Sequence, residues 1–330
     1  ALPDFKGDFQ KQMNKKIRVL SVGSLGKDGR ISPFRWDQGE ALRKGGLDVD
    51  YFNVREGGFK GYGKAYFALK RYLRLNEFDI IHAHYGLSGM IAVLQRKIPV
   101  VITFHGSDIW NPGVRFISRI ASYLSAANIF ISEALRKKAK GFRKKKAHII
   151  PCGVNLDTFY PMDKKEAREK LGWDRNGIYI LFSSSFDNPV KNYPLAKKVV
   201  DQIPGAQLIE LAGYTREEVN LLMNAGDVLL ITSFFESGPL VAKEALACNL
   251  PIVSTDVGNV RELIQNGENC FVVDGKVVSY LSTINRILER KDKGFFENHK
   301  ESRLKTINTP NLSSVSLELL DVYQGILWKI

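Results

Sequence analysis

From Ile17 onward, short apolar runs rich in β-branched residues alternate with longer stretches whose apolar positions recur every three or four residues. Short runs of that kind fit strands buried on both faces, and the longer stretches fit helices laid across a sheet, so the alternation predicts parallel βαβ units. In the first half, strands are expected at 17–22, 49–53, 79–84, 100–104, 127–132 and 148–150, with helices at 33–44, 64–75, 88–95 and 112–125. The second half repeats the pattern with strands at 178–183, 207–211, 228–232, 252–254 and 271–273 and helices between them. Pro151, Gly153 and Pro161 supply breakers where the first series stops, which puts a domain boundary near 151–161. The expected fold class is α/β, with two Rossmann-like doubly wound domains. Residues 16–155 form the first and 156–313 the second. A leading tail covers 1–15, and a last helical stretch at 314–330 is expected to pack back on the first domain.

Length agrees with two cores, because 330 residues exceed what one ordinary core holds. Hydrophobic residues make up 44% and charged residues 25%, as in globular proteins. No run approaches the roughly 18 apolar residues that cross a bilayer, and the start lacks the basic-then-apolar order of a signal peptide, so a cytoplasmic location is expected. Three cysteines at 152, 248 and 270 lack metal-ligand spacing.

Charge changes the picture. A net charge of +13 implies an anionic partner, and eight of the eleven residues from Arg136 to Lys146 are Lys or Arg. Lys64, Lys70, Arg71 and Arg74 share one arc of the expected 64–75 helix, opposite Tyr66, Leu69, Tyr72 and Leu73. That pattern suits peripheral contact with an anionic membrane surface, on the inner face of the cytoplasmic membrane, and it suits equally a surface helix with a solvated charged face. No nucleic-acid-binding module with stacking aromatics is present, so nucleic acid is not expected as a partner.

In open α/β sheets, ligands bind beyond the carboxyl ends of the strands, so candidate chemistry is sought there. The strongest segment runs from Ser233 through Glu236, Ser237, Gly238, Pro239 and Leu240 into a helix expected at 241–248. Here a carboxylate precedes a helix N-terminus with free N–H groups. Glu244 follows two helical turns later among Ala242, Ala245, Leu246 and Ala247, and a carboxylate in such apolar company needs a partner. On spacing alone, two glutamates more often form a solvated face. A second segment runs from Phe182 through Ser185 to Lys191, where a lysine near a helix start can meet a diphosphate. A third places His105 just past a strand, able to bond a sugar hydroxyl, although a capping or core histidine is the ordinary reading. The fourth is the loop 23–33 with Gly26, Gly29 and Arg30, which permits close backbone approach without the dinucleotide fingerprint. Asp48-Val49-Asp50 imitates a metal-binding pair but sits at a strand's start after a Gly-Gly turn, so no metal is expected.

On these residues the sequence resembles the family 4 glycosyltransferases. The segment 233–258, SFFESGPLVAKEALACNLPIVSTDVG, looks like that family's Glu, seven residues, Glu motif, and 150–161, IPCGVNLDTFYP, is similar to its interdomain signature. The likeness extends from about Ile17 to Val273. It implies the GT-B fold, two domains facing a cleft, and retaining transfer of a hexosyl group. The co-substrate it implies is a nucleoside-diphosphate sugar carrying UDP or GDP, with no separate cofactor. The implied acceptor is a saccharide or lipid-linked molecule of cell-envelope or polysaccharide synthesis. By resemblance Glu236 binds donor-sugar hydroxyls, Glu244 the ribose, and the amides of Gly238 to Leu240 the sugar and phosphate. Lys191 neutralises the diphosphate, His105 contacts the sugar, Ser237 and Ser185 add donor contacts, and the base lies near Gly213 and Tyr214. One departure matters: many members carry a diphosphate-binding arginine before the lysine, and 183–186 has none, which leaves Arg30 or Arg35 as substitutes. Two readings compete with a transferase. One is a nucleotide-sugar epimerase, against which the paired glutamates argue, and the other a non-catalytic nucleotide-sugar- or partner-binding module.

Overall fold

The computed structural model describes residues 16–26, 29–265, 269–291 and 311–328; the leading tail 1–15 lies outside them. The chain divides into two compact units. The first takes the residues up to Phe130, Lys138–Ile150 and those from Ser316; the second takes Ile131–Lys137 and Pro151–Val315.

In the first unit β1 (Arg18–Ser24), β2 (Asp48–Val54), β3 (Ile80–His84), β4 (Val100–Phe104), β5 (Ala127–Phe130) and β6 (Ala147–Ile149) form one sheet in the order β2-β1-β3-β4-β5-β6. Every pairing is parallel. Every residue of β3 and of β4 is buried, as strands covered by helices on both faces require. In the second unit β7 (Ile178–Phe182), β8 (Ala206–Glu210), β9 (Val228–Ile231), β10 (Ile252–Thr255) and β11 (Cys270–Val273) form a parallel sheet in the order β11-β10-β9-β7-β8. The strand order reverses between β1 and β3 in one sheet and between β7 and β9 in the other, and those reversals are where doubly wound sheets open a crevice.

Expected and observed strands agree in number and order, with differences at the ends. β5 stops at Phe130 instead of 132 because Ser132 turns the chain into the helix Glu133–Lys138, its hydroxyl accepting from the Leu135 amide at 3.2 Å. That helix, absent from the sequence reading, takes up the start of the basic run. The helix Gly58–Leu75 begins six residues before the expected 64 and turns Leu69 into the core, while Tyr72 packs against Phe52 and Phe78. Its apolar arc is therefore core-facing, and Lys64 pairs with Glu56 in solvent. The closing helix runs Leu312–Leu327, and Tyr323, counted with the first unit, is fully buried. Where the chain enters the second unit, Gly153 allows a close backbone crossing, since a Cβ there would sit 2.9 Å from the backbone of Asn311 and Leu312. Lys243, buried on the helix Leu240–Ala247, donates to the Cys152 carbonyl at 2.6 Å.

Candidate active site

The reversal point of the second sheet gathers the strongest candidates. β7 and β9 are neighbours, with Phe182 opposite Leu230, so the segments leaving their carboxyl ends start side by side. After β7 the chain passes Ser183 to Asn188 and makes a 3-10 turn, Pro189–Lys191, closed by Asn192 in the left-handed region at φ 55°. Two bonds lash that turn to the end of β9: the Phe234 amide donates to the Val190 carbonyl at 2.9 Å, and the Thr232 hydroxyl to the Lys191 carbonyl at 2.7 Å. Lys191 is thereby aimed at the β9 segment, and its Nζ meets Glu236 Oε1 at 2.7 Å. The Ser233 hydroxyl donates to the same carboxylate oxygen at 2.7 Å. Side-chain exposures of 17% for Lys191 and 11% for Glu236 leave the pair reachable at the sheet's edge.

Glu244 lies in the second turn of the helix Leu240–Ala247, with its side chain 5% exposed. The carboxylate is held by Arg216 at 2.5 Å, and that guanidinium also lies 4.5 Å over the Phe159 ring. The helix begins at Leu240, so Glu236 stands in the turn before it, and each glutamate has its own cation. Arg216 is the residue that sequence reasoning missed. Its signal was Thr215-Arg216-Glu217-Glu218: Thr215 and Glu218 form a reciprocal capping box, which starts a helix at Arg216 just beyond β8. The buried Ser183 hydroxyl, at the tip of β7, makes no hydrogen bond among the described residues.

The other second-unit candidates flank this cluster. The Ser237 carbonyl accepts from Ser132 at 2.9 Å. A Cβ on Gly238 would make only ordinary contacts, the nearest at 3.5 Å from Asn259, so packing leaves that backbone approachable. Pro239 stands at the N-cap, ahead of Leu240. Gly213 adopts φ +82° with open space beside it, next to a half-exposed Tyr214. Ser185 bonds Asp187.

His105 belongs to the first unit, just beyond β4, one strand away from that sheet's reversal point. Asp108 clamps its loop, accepting from the Gly106 amide at 2.8 Å and the His105 amide at 3.3 Å. The imidazole shares a bond of 3.2 Å with His84, which stacks on His82, and His82 bonds both Tyr323, at 2.6 Å, and Thr103, at 2.7 Å. Burial is the main cause that lowers His105 and His82 each to about 3, with neighbouring His82 and Arg35 adding repulsion at His105. His105 is therefore a neutral hydrogen-bonding group at physiological pH and not a cation for developing charge. Burial also pushes Asp108 up to about 6, against the lowering effect of its amide bonds.

Arg35 does not replace the missing diphosphate arginine. It is 1% exposed, bonds Ser21 and Asn53, fills the space beside Gly23, and burial lowers it to about 10. Arg30 is exposed in the loop after β1, where Gly26 donates to its carbonyl at 2.8 Å and Gly29 adopts φ +75°. Asp48 of the Asp-x-Asp triplet opens β2 and lies 3.3 Å from Arg18. Among the described residues no group of three or more His, Cys, Asp or Glu is arranged to hold a metal.

Two family profiles match this chain: Glycosyltransferase Family 4 over residues 32–158 and Glycosyl transferases group 1 over 187–290. The chain belongs to the family 4 glycosyltransferases. As in other family 4 glycosyltransferases, its fold is GT-B. Sucrose-phosphate synthase of Thermosynechococcus elongatus superposes with TM-score 0.78 at 19% identity, over 94% of this chain and 99% of that one. An Anabaena protein, HepE, solved with UDP-glucose, gives TM-score 0.75 at 16% identity over 94% and 100%. Among curated family 4 glycosyltransferases, the D-inositol 3-phosphate glycosyltransferase of Mycobacterium sp. (strain KMS) is 24% identical over 64% of this chain, which spans 60% of that relative's length.

Proposed function

We propose that this chain is a retaining glycosyltransferase that moves a hexosyl group from a UDP- or GDP-sugar onto a saccharide or lipid-linked acceptor in cell-envelope or polysaccharide synthesis. One observation carries the reading: a lysine and a glutamate from different strand ends meet at 2.7 Å at the reversal point of a doubly wound sheet. In the proposed reaction the bond from the anomeric carbon to the diphosphate breaks on the face the acceptor approaches, and the departing phosphate oxygen takes the acceptor's hydroxyl proton. The needed catalyst is charge stabilisation at the leaving group. An ammonium carries three donors, so the bond to Glu236 does not exhaust Lys191, which with the amides opening the helix Leu240–Ala247 would face the phosphates. Glu236 and the Ser183 hydroxyl would take sugar hydroxyls, and Glu244, fixed by Arg216, the ribose. Backbone at Gly213 and Tyr214 would hold the base, and His105, a neutral group, would bond a sugar hydroxyl. The neighbour solved with UDP-glucose supports UDP as the nucleotide. The net charge of +13 supports an anionic membrane surface as a further partner.

The test is nucleoside diphosphate release from a panel of UDP- and GDP-sugars. Wild-type chain should release it from at least one donor, and Lys191→Ala and Glu236→Ala should each cut the rate by about 100-fold or more, the scale of losing one group aimed at transition-state charge. Tight donor binding without release would instead support the non-catalytic module.

A further inference from the structure

The helix Pro112–Leu124 in the first unit is amphipathic in an inverted sense. Its inner face is small: Ser118, Ala121 and Ser122 are fully buried. Packing demands this, since a Cβ on Gly86 would stand 1.8 Å from the Ser118 hydroxyl. Its outer face carries the large apolar side chains Phe116, Ile120, Tyr123 and Leu124, which are 59%, 40%, 57% and 51% exposed. They recur at helical spacing, so they form one contiguous face. Nothing in the packing of the inner face requires bulk on the outer one.

Cations ring this face. Arg115 donates to the Lys138 and Lys140 carbonyls at 3.3 Å, and Arg143 to the Tyr123 carbonyl at 3.1 Å, which fastens the basic segment from Lys138 to Lys146 along the helix. Arg119, Ile120, Tyr123, Leu124 and Gly141 line an open depression of about 460 Å³ between the apolar tips and the basic segment. Residues 112–130 and 138–146 contain Arg115, Arg119, Lys138, Lys140, Arg143, Lys144, Lys145 and Lys146 and no Asp or Glu. Lys138 also sits 3.9 Å over the ring of the partly exposed Trp110.

We propose that this face docks on an anionic lipid surface, with Phe116, Ile120 and Leu124 entering the acyl boundary while the surrounding cations meet headgroup phosphates. A second copy of the chain is the poorer occupant, because a self-contact would set this all-cationic surface against itself. The inference deepens the membrane part of the proposed function and moves its seat: the helix Gly58–Leu75, whose basic arc suggested it, turns Leu69 into the core and packs Tyr72 against Phe52 and Phe78.

Co-sedimentation of the full chain with vesicles of phosphatidylcholine alone or mixed with phosphatidylglycerol tests it, with donor turnover measured beside it. Wild type should pellet with the mixed vesicles only. The variant F116S/I120S/L124S should lose about tenfold or more in partitioning. Reversal at K144E/K145E/K146E should lose about 100-fold, since each cation near an anionic surface contributes about fivefold. Both variants should keep the wild-type melting temperature and donor turnover; if the triple serine variant melts early, Phe116→Ser alone carries the test. Equal pelleting with pure phosphatidylcholine, unchanged partitioning of the serine variants, or a dimer that those variants disperse without any vesicle binding would overturn the proposal. Vesicle binding without turnover contradicts the transferase and leaves the docking face standing, and turnover without vesicle binding does the reverse.

Discussion

At the scale of single residues, Glu236 depends on a glycine far along the chain. Gly258 adopts φ +60°, and a Cβ there would lie 2.6 Å from the Glu236 carbonyl oxygen, a rigid backbone atom. Gly258→Ala therefore meets two penalties, a left-handed backbone that disfavours a side chain and a clash relieved only by moving the turn that aims Glu236 at Lys191. The expected result is a loss of about 2–3 kcal/mol in denaturant unfolding, with donor turnover falling more than the remaining folded fraction explains. An alanine variant with wild-type turnover would show that the turn is not held from this side. The sequence marked Glu236, Glu244 and Lys191 through their neighbours: a carboxylate ahead of a helix start, a second one in apolar company and a lysine beside a helix start. Arg216 escaped because an arginine at the start of an ordinary capped helix looks solvated, and only the fold brings it across 28 positions to Glu244.

Among the elements, the carboxyl ends of β3 and β4 carry a linked set of neutral imidazoles. His82 and His105 are lowered to about 3, mainly by burial, whereas an unfolded histidine protonates near 6.5. Their stabilising effect is complete above about pH 6.5 and is lost as pH falls toward 3, at about 1.4 kcal/mol per pH unit for each histidine. Asp108, raised to about 6, works in the opposite direction, because the native state takes up its proton before the unfolded chain does. Urea unfolding of His82→Asn between pH 6 and pH 4.5 should consequently show a pH slope shallower than wild type by about 1.4 kcal/mol per unit. An unchanged slope would mean that His82 is protonated in the native protein. The strands were legible in the sequence because doubly buried strands are uniformly apolar, and helix ends were less so. The Glu133–Lys138 helix hides in a run whose charges carry no period, and the early start of Gly58–Leu75 lies in a glycine-rich segment that reads as loop. The outward face of Pro112–Leu124 was invisible for a different reason: periodicity reveals that a helix has an apolar side, not which side the sheet takes.

For the whole molecule, two doubly wound parallel sheets were expected from the alternation of runs and are found. No helix among the described residues is long and apolar enough to cross a membrane. The departure from many family members, the absent arginine before Lys191, is not repaired by Arg35, which is committed to the core. Under the proposed reaction, losing Lys191 should therefore cost more turnover than the same loss in a relative that carries both cations.

Proton NMR of a UDP- or GDP-α-hexose turned over by the chain, read in the first minutes before the free sugar mutarotates, tests the central claim most directly. The account predicts that the sugar released to water, or the linkage made when an acceptor is supplied, appears first as the α-anomer, and that Glu236→Ala suppresses the signal. A β-anomer formed first, or donor that binds and is never cleaved, would contradict it.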